Sequence, residues 1–465
     1  MTEKASMTRL VVGPFNRVEG DLEVKLEVQD GRVAAAFVTA PLFRGFEQIL
    51  QDRPPLDALV VAPRICGICS VSQSLAAARA LAQVMGLEPP PNGRIFADLM
   101  LACENAADHL THFALFFMPD FARAAYAGRS WHGEAEARFA AHKGASGREA
   151  VAARTAFLHL MGILAGKWPH SLALQPGGAA KSLDLGERMR LQAILLAFRR
   201  YLEQSVFGTS LEAAAEDLAA WSADSDAGLF LRIADDLGLA GQGRGVDRFL
   251  SGGGLFSAAL PDLSGLREDI AHAWLRGGSH HPSLGVTLPD ADKRDAYSWC
   301  KAPRLDGHPH ETGALARQWV AGHPLVGRML AEAGGRADVK SRVVARLIEL
   351  ARLLPRMESL LAELRPNEAY CLAPSDVPDG EGMGLVEAAR GLLGHWLRVE
   401  KGVIASYQIV APTSWNFSPR DGKGVPGPVE QALAATPVEQ GQGAVPLMVQ
   451  HVVRSFDPCM SCTVH

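Results

Sequence analysis

Four of the seven cysteines in this 465-residue chain form two Cys-x-x-Cys pairs at opposite ends of the sequence. Cys66 and Cys69 lie in "RICGIC"; Cys459 and Cys462 lie in the closing "DPCMSCTVH". An i, i+3 spacing turns two sulfurs to one side of a tight turn or a first helical turn. Four thiolates make a strong site for a soft metal, and a site shared by both pairs would tie the two ends of a large fold together. A structural zinc on all four sulfurs is the plain alternative. Such sites usually take their ligands from one compact segment, whereas these pairs are separated by most of the chain. A thioredoxin-like redox site would need only one pair. Cys103, Cys300 and Cys371 have no partner spacing and read as buried small hydrophobes.

An odd cysteine count with this spacing argues for metal or redox chemistry rather than a disulfide framework. A chain this long can bury a large core without staples. Its net charge of -5 gives no reason to expect nucleic acid or an anionic membrane as partner. No apolar run approaches the length of a spanning helix, so no membrane span is expected. The start, "MTEKASMTRLVVG", lacks the apolar core of a secretory signal, so a cytoplasmic chain is expected unless a partner carries an export signal.

Leu22, Val24, Leu26 and Val28 alternate with polar residues as in a half-buried strand. "QDGR" then predicts a hairpin turn into the strand from Val33 to Val38. A second hairpin is expected where "HWLRVE" and "VIASYQIVAP" flank Lys401 and Gly402. Val339, Val343, Leu347, Leu350 and Leu354 make one apolar helix face, which Pro355 should kink or end. Similar patterns predict helices over Leu99 to Phe117, Val151 to Leu164, Leu183 to Leu202 and Leu211 to Leu237. Residues 134–153 read as a solvated helical face. "LSGGGLF" and "APSDVPDGEGMG" read as loops. With no repeat or linker, the expectation is one α+β domain over residues 1–465, predominantly helical, with small peripheral hairpins.

The two cysteine motifs resemble those of the large subunit of nickel–iron hydrogenases. The resemblance runs the length of the chain. "FNRVEGDLEV", "FRGFEQILQDRPP", "DHLTHF", "GKWPH", "EAARGLLGHW" and "YQIVAPTSWNFSPRD" are each similar to a family segment and stand in the family's order. The resemblance implies a helical core with peripheral hairpins. It also implies a nickel bound by four thiolates and bridged to a low-spin iron carrying carbon monoxide and two cyanides. Cys66 and Cys459 would be terminal nickel ligands, and Cys69 and Cys462 would bridge the metals. Dihydrogen would be split heterolytically, with a cysteine thiolate, most simply Cys459, as first base and Glu19 taking the next proton. Arg390 would hang over the open face, held by Asp108 and Asp457; the family often has proline where this chain has Ala389. Pro412 and Thr413 would lie near the diatomic ligands. Glu47, the Ile409 carbonyl and His465 would hold magnesium or a similar ion. His170 and His395 read as structural or supporting residues. Without the resemblance, Glu19 would be an exposed strand-start glutamate, and Arg390, Asp108 and Asp457 surface ion pairs or helix caps.

Three features bear on subtype. Gln73 stands where the family usually has a histidine that donates toward a bridging sulfur; glutamine can donate but cannot carry charge. The chain ends at His465, where many relatives are cut from a longer precursor; sensor subunits typically lack that extension. Asp21 stands where histidine is common. A matured relative would end at the same residue, so it is Gln73 and Asp21 that imply a regulatory, dihydrogen-sensing subunit of low turnover. Ile68 and Phe116, bulky at two gas-channel positions, would narrow the path for dioxygen. The implied partners are a small subunit carrying the iron–sulfur clusters, a dimer of heterodimers and a sensor histidine kinase. An uptake hydrogenase for energy metabolism is the alternative within the class. A metal-free relative like the quinone-site subunit of respiratory complex I is the alternative outside it, and the four cysteines argue against that.

Overall fold

A computed structural model describes residues 7–252, 254–257, 260–372, 376–438 and 446–465. Three antiparallel strands open the chain: β1 (Thr8–Val12), β2 (Glu23–Gln29) and β3 (Arg32–Thr39). The "QDGR" turn joins β2 to β3, with Asp30 and Gly31 both at positive φ, the geometry a two-residue hairpin loop needs. Val24, Leu26, Val33 and Val38 are buried, as their alternation predicts.

The helical centre is built from α1 (Ser70–Met85), α2 (Pro91–Thr111), α3 (Ala145–Ala165), α4 (Leu185–Tyr201) and α5 (Val339–Glu363). Helix α2 packs on α3 and α5, and α3 on α4. It continues as a π-helical turn over His112–Phe117. Helix α5 is capped by Asp338, whose side chain accepts from the Ser341 N–H at 2.8 Å. It does not end at Pro355. Leu353, Leu354, Met357, Leu360 and Leu361 are buried on both sides of the proline. Their burial outweighs a helix-interior cost of about 3 kcal/mol.

The stretch from Leu211 to Leu237 is not one helix. It divides into Leu211–Glu216 and Asp226–Asp236, because Asp217 and Ser225 cap new turns with their side chains. Residues 134–153 are not simply a solvated face. Phe139, Ser146 and Ala150 are buried, and Arg138 forms a two-pronged pair with Asp226.

The second sheet contains β4 (Gly380–Ala388), β5 (Gly391–Glu400) and β6 (Val403–Val410). The β5–β6 turn at Lys401 and Gly402 again has positive φ at both positions. β4 corrects a loop expectation. "APSDVPDGEGMG" ends in this strand, and its glycines are there for close packing on α1. A Cβ at Gly382 would lie 2.1 Å from the Ala80 carbonyl oxygen, and one at Gly384 1.9 Å from that of Ala76. Residues 373–375 of that stretch, and residue 253 of "LSGGGLF", lie outside the described residues. The arrangement of helices and small antiparallel sheets fits the α+β class. α6 (Pro412–Asn416) and α7 (Leu447–Ser455) then carry the chain to the last cysteine pair.

Candidate metal centre

Both cysteine pairs sit at the mouths of helical turns. Cys66 is extended after the Ala62–Ile65 turn, and Cys69 is the residue before α1. Cys459 precedes the turn Met460–Cys462. The four buried sulfurs lie within 4.8 Å of one another, with Cys66 to Cys459 at 3.5 Å and Cys69 to Cys462 at 3.3 Å. Hydrogen bonds from Cys459, Cys462 and Cys69 hold the Cys66 thiol well below the usual thiol range. Cys69 and Cys462, each bonded to Cys459, are pushed well above it. Four convergent, buried, soft donors fit one thiolate-bound metal centre. Cys103 and Cys300 are buried away from this group, and Cys371 is partly exposed.

The closing segment is sewn to the loop between β1 and β2. The Met460 N–H donates to the Glu19 carbonyl at 2.7 Å, and the Glu19 N–H to that of Pro458 at 3.3 Å. Gly20 has φ +79°, and a Cβ there would meet the Ser461 backbone nitrogen at 2.8 Å, which explains the glycine of "RVEG". Glu19 is half-buried, and burial, then the nearby Cys66, raises its carboxyl above the usual range. Asp21 is exposed.

Arg44 was not foreseen. Its guanidinium donates to the Arg64 carbonyl and the Ser461 carbonyl, each at 3.2 Å, and to that of Ile65. One side chain thus clamps both cysteine segments. Its place in the quoted "FRGFEQ" was the available signal.

Arg390 occupies the two-residue tip of the β4–β5 hairpin, where Ala388 pairs with Gly391. From there it meets both expected partners. Nη1 lies 3.0 Å from the Asp108 carboxylate, Nη2 lies 3.0 Å from the Asp457 carboxylate, and Nε donates to the Asp457 carbonyl at 2.9 Å. All three side chains are buried. Burial pushes the Asp108 carboxyl up to about 7. Despite burial, Arg390 holds that of Asp457 below the usual range. The trio is therefore neither a surface pair nor a set of caps.

Thr413, at the start of α6, accepts the Cys459 N–H on its hydroxyl oxygen at 3.0 Å, leaving the hydroxyl hydrogen to donate elsewhere. Gln73 points its amide nitrogen at the Cys69 sulfur, 4.0 Å away. Glu104 on α2 was also missed. Its carboxylate accepts the Val71 N–H at 2.7 Å and the Ser72 N–H at 2.9 Å, so it caps the helix that Cys69 begins. Burial raises it to about 7. His170 bonds the Pro63 carbonyl at 3.0 Å and supports the first cysteine segment from outside. Ile68 and Phe116 are half-buried.

Glu47, Ile409 and His465 converge as expected, with the His465 Nε2 2.6 Å from the Ile409 carbonyl and 3.9 Å from Glu47. Lys301, unforeseen, lies among them. Its ammonium contacts both Glu47 oxygens at 3.1 Å, Glu268 at 3.3 Å and Gln408 at 2.7 Å. Two buried carboxylates share one ammonium here. Carboxylate, carbonyl and imidazole are the donor types a hard cation takes.

The model of the family described as nickel-dependent hydrogenase matches residues 44–128 and 121–465. The chain belongs to that family. It is 29% identical to the periplasmic [NiFeSe] hydrogenase large subunit of Desulfomicrobium baculatum, over 98% of this chain and 95% of that one. It is 27% identical to the hydrogenase-2 large chain of Escherichia coli, over 98% and 97%. The solved Ni-Fe-Se hydrogenase of D. vulgaris Hildenborough in the reduced state superposes with a TM-score of 0.84 at 28% identity, covering 99% of this chain and 100% of that one. This chain is thus a nickel-dependent hydrogenase large subunit, an enzyme of dihydrogen oxidation. The zinc scaffold and the metal-free relative are set aside by that membership together with the four gathered sulfurs.

Proposed function

We propose that this hydrogenase subunit serves to sense dihydrogen, cleaving it slowly and reporting its presence. The observation that carries this reading is Gln73 on the Cys69 sulfur. An amide there can donate to a thiolate but cannot take up a proton, which suits a centre poised for response rather than throughput. Asp21 in place of the common histidine supports the same branch.

In this reading Cys66, Cys69, Cys459 and Cys462 would hold nickel together with an iron carrying carbon monoxide and two cyanides. Bound there, that centre supplies heterolytic cleavage of dihydrogen. The chain's own residues do the rest. The Cys459 sulfur holds the first proton. Glu19, sewn to Cys459 through the backbone and with its carboxyl raised, takes it next. Arg390, fixed by two carboxylates, presents positive charge toward Cys66 and Cys459. Pro412 and Thr413 line the side from which a hydroxyl can donate to a cyanide. Glu47, the Ile409 carbonyl and His465 would hold magnesium or a similar ion beside the C-terminus. Ile68 and Phe116 restrict dioxygen.

The relatives are named as large subunits or chains, so an iron–sulfur small subunit is the partner we infer. Three further cysteines are too few here for an Fe–S cluster beside the centre. A dimer of heterodimers, a sensor histidine kinase and a cytoplasmic location complete the proposal; no described helix is long and apolar enough to cross a membrane. An uptake role is the second reading. It is favoured by 26% identity to the uptake hydrogenase large subunit of Afipia carboxidovorans, over 98% of this chain.

The deciding experiment is infrared spectroscopy of the purified complex, with a dye-linked dihydrogen oxidation assay. Metal-bound carbonyl and cyanide bands are expected, with turnover too low to support growth on dihydrogen. Absent bands in a nickel-loaded sample would overturn the centre. Turnover that sustains growth would overturn sensing in favour of uptake.

A further inference from the structure

Behind Gln73 lies a row of hydrogen bonds that the cysteine chemistry does not itself require. The His395 Nε2 is 2.8 Å from the Gln73 Oε1, and the His395 Nδ1 is 2.7 Å from the Tyr407 hydroxyl. His395 is fully buried, and neither ring nitrogen has a carboxylate partner. It is therefore an uncharged imidazole with one proton, so one nitrogen donates and the other accepts.

Two wirings satisfy that rule. In one, the Tyr407 O–H donates to Nδ1, Nε2–H donates to the Gln73 oxygen, and the Gln73 NH2 faces the Cys69 sulfur. In the other, every bond reverses and the amide oxygen faces sulfur. An oxygen lone pair against an electron-rich thiolate is repulsive, while an amide N–H is attractive. The sulfur therefore selects the first wiring, and the tyrosine and histidine lock it.

The fold is arranged to hold the row. His395 lies on β5 opposite Ile409 of β6, and Tyr407 lies two residues before Ile409. Gln73 lies in the first turn of α1, which packs on β4 and β5. Sheet and helix therefore fix both ends.

We propose that Tyr407 and His395 are positioning residues that hold the Gln73 amide nitrogen on the Cys69 sulfur. This rests on the reading of Cys69 as a metal ligand. The row orients a dipole and moves no proton, because an amide cannot accept one at nitrogen and release another at oxygen without leaving its stable form. It also accommodates either residue type at position 73. An imidazole there can accept from His395 at one nitrogen and donate to sulfur from the other.

The test is nickel electron paramagnetic resonance of the assembled complex, comparing g values among variants. Gln73→Leu sets the shift for a sulfur without its N–H. His395→Phe is expected to shift the g values in the same direction, and the double variant no further than Gln73→Leu alone, since the two act on one contact. Tyr407→Phe removes one oxygen and preserves the ring. It is expected to give a smaller shift of the same sign, and none in the Gln73→Leu background. Wild-type g values in His395→Phe, or a full additional shift on top of Gln73→Leu, would overturn the proposal. If His395→Phe fails to assemble, Tyr407→Phe decides: unmoved g values overturn it. A nickel-loaded wild-type complex with no signal in any redox state would overturn the metal reading as well, so the two failures are distinguishable.

Discussion

The strongest demands on single residues fall at position 390. A guanidinium spans Asp108 and Asp457 with separate nitrogens, each 3.0 Å from a carboxylate oxygen, and a third nitrogen bonds the Asp457 carbonyl. An ammonium cannot make that fork. Arg390→Lys is expected to leave nickel content unchanged and lower dihydrogen oxidation by about 100-fold, the scale on which a preorganised donor acts. Metal analysis beside the dye assay checks this, and turnover within twofold of wild type would remove Arg390 from the machinery. Gln73 poses a subtler question. Gln73→His keeps a donor on Cys69 and, through His395, keeps the row behind it. What changes is that position 73 gains a titratable ring. If the amide is what slows this centre, the variant should turn over faster by about tenfold. Unchanged turnover and unchanged signalling would make Gln73 a mark of lineage without a role in rate.

Elements were legible wherever the chain states its own geometry. Asp30-Gly31 and Lys401-Gly402 each supply the positive-φ pair of a tight hairpin, and both hairpins stand where the sequence predicts them. Elements were misread where a neighbour decides. β4 looks like a glycine-rich loop because its glycines answer to the carbonyls of α1, which lie about 300 residues earlier. α5 runs through Pro355 because its flanks are buried. Tertiary burial also sets the charge state of a residue that no motif singles out. Glu430 accepts the Val38 N–H of β3 at 3.0 Å and the Tyr297 hydroxyl at 2.9 Å, both on one oxygen, and burial raises it to about 7. An unfolded glutamate ionises near pH 4.3. Between about pH 4.3 and 7 the unfolded chain releases a proton that the folded chain keeps. Stability therefore falls as pH rises through that window, by roughly 4 kcal/mol, and is flat above it. Glu430→Gln retains both accepted hydrogen bonds and has nothing to titrate. The difference in melting temperature between pH 5 and pH 8 should shrink in the variant. It will not vanish, because Glu104 and Glu268 are raised in the same way. An equal difference in both proteins would place the Glu430 titration elsewhere.

At the scale of the molecule, the two cysteine pairs are the most legible part of the site and its supports the least. The motifs name the sulfurs, but Arg44, Glu104 and Lys301 acquire meaning only once distant segments meet. Arg44 bonds carbonyls on both cysteine segments, and its own N–H donates to the Val464 carbonyl at 2.8 Å. Glu104 anchors the helix after Cys69. His465 reaches the Ile409 carbonyl on β6. The last nine residues are therefore tied to the Glu19 loop, to Arg44 and to the second sheet by a few polar contacts around the sulfurs. A metal bound by both pairs adds to those ties directly, since binding free energy at such a site is also folding free energy. Nickel-free subunit, made in cells denied nickel, is expected to exchange backbone amide hydrogens faster over residues 457–465 and 66–70 than nickel-loaded subunit. The core of α5, buried on both sides of Pro355, should exchange alike in both. Hydrogen-exchange mass spectrometry of the two preparations separates the cases. Equal protection of the closing segment would mean that the protein contacts alone, led by Arg44 and the Glu19 bridge, already hold the ends together. The metal would then enter a finished cage. Faster exchange confined to the cysteine segments would mean that the metal completes the closure that the spacing of the four cysteines demands.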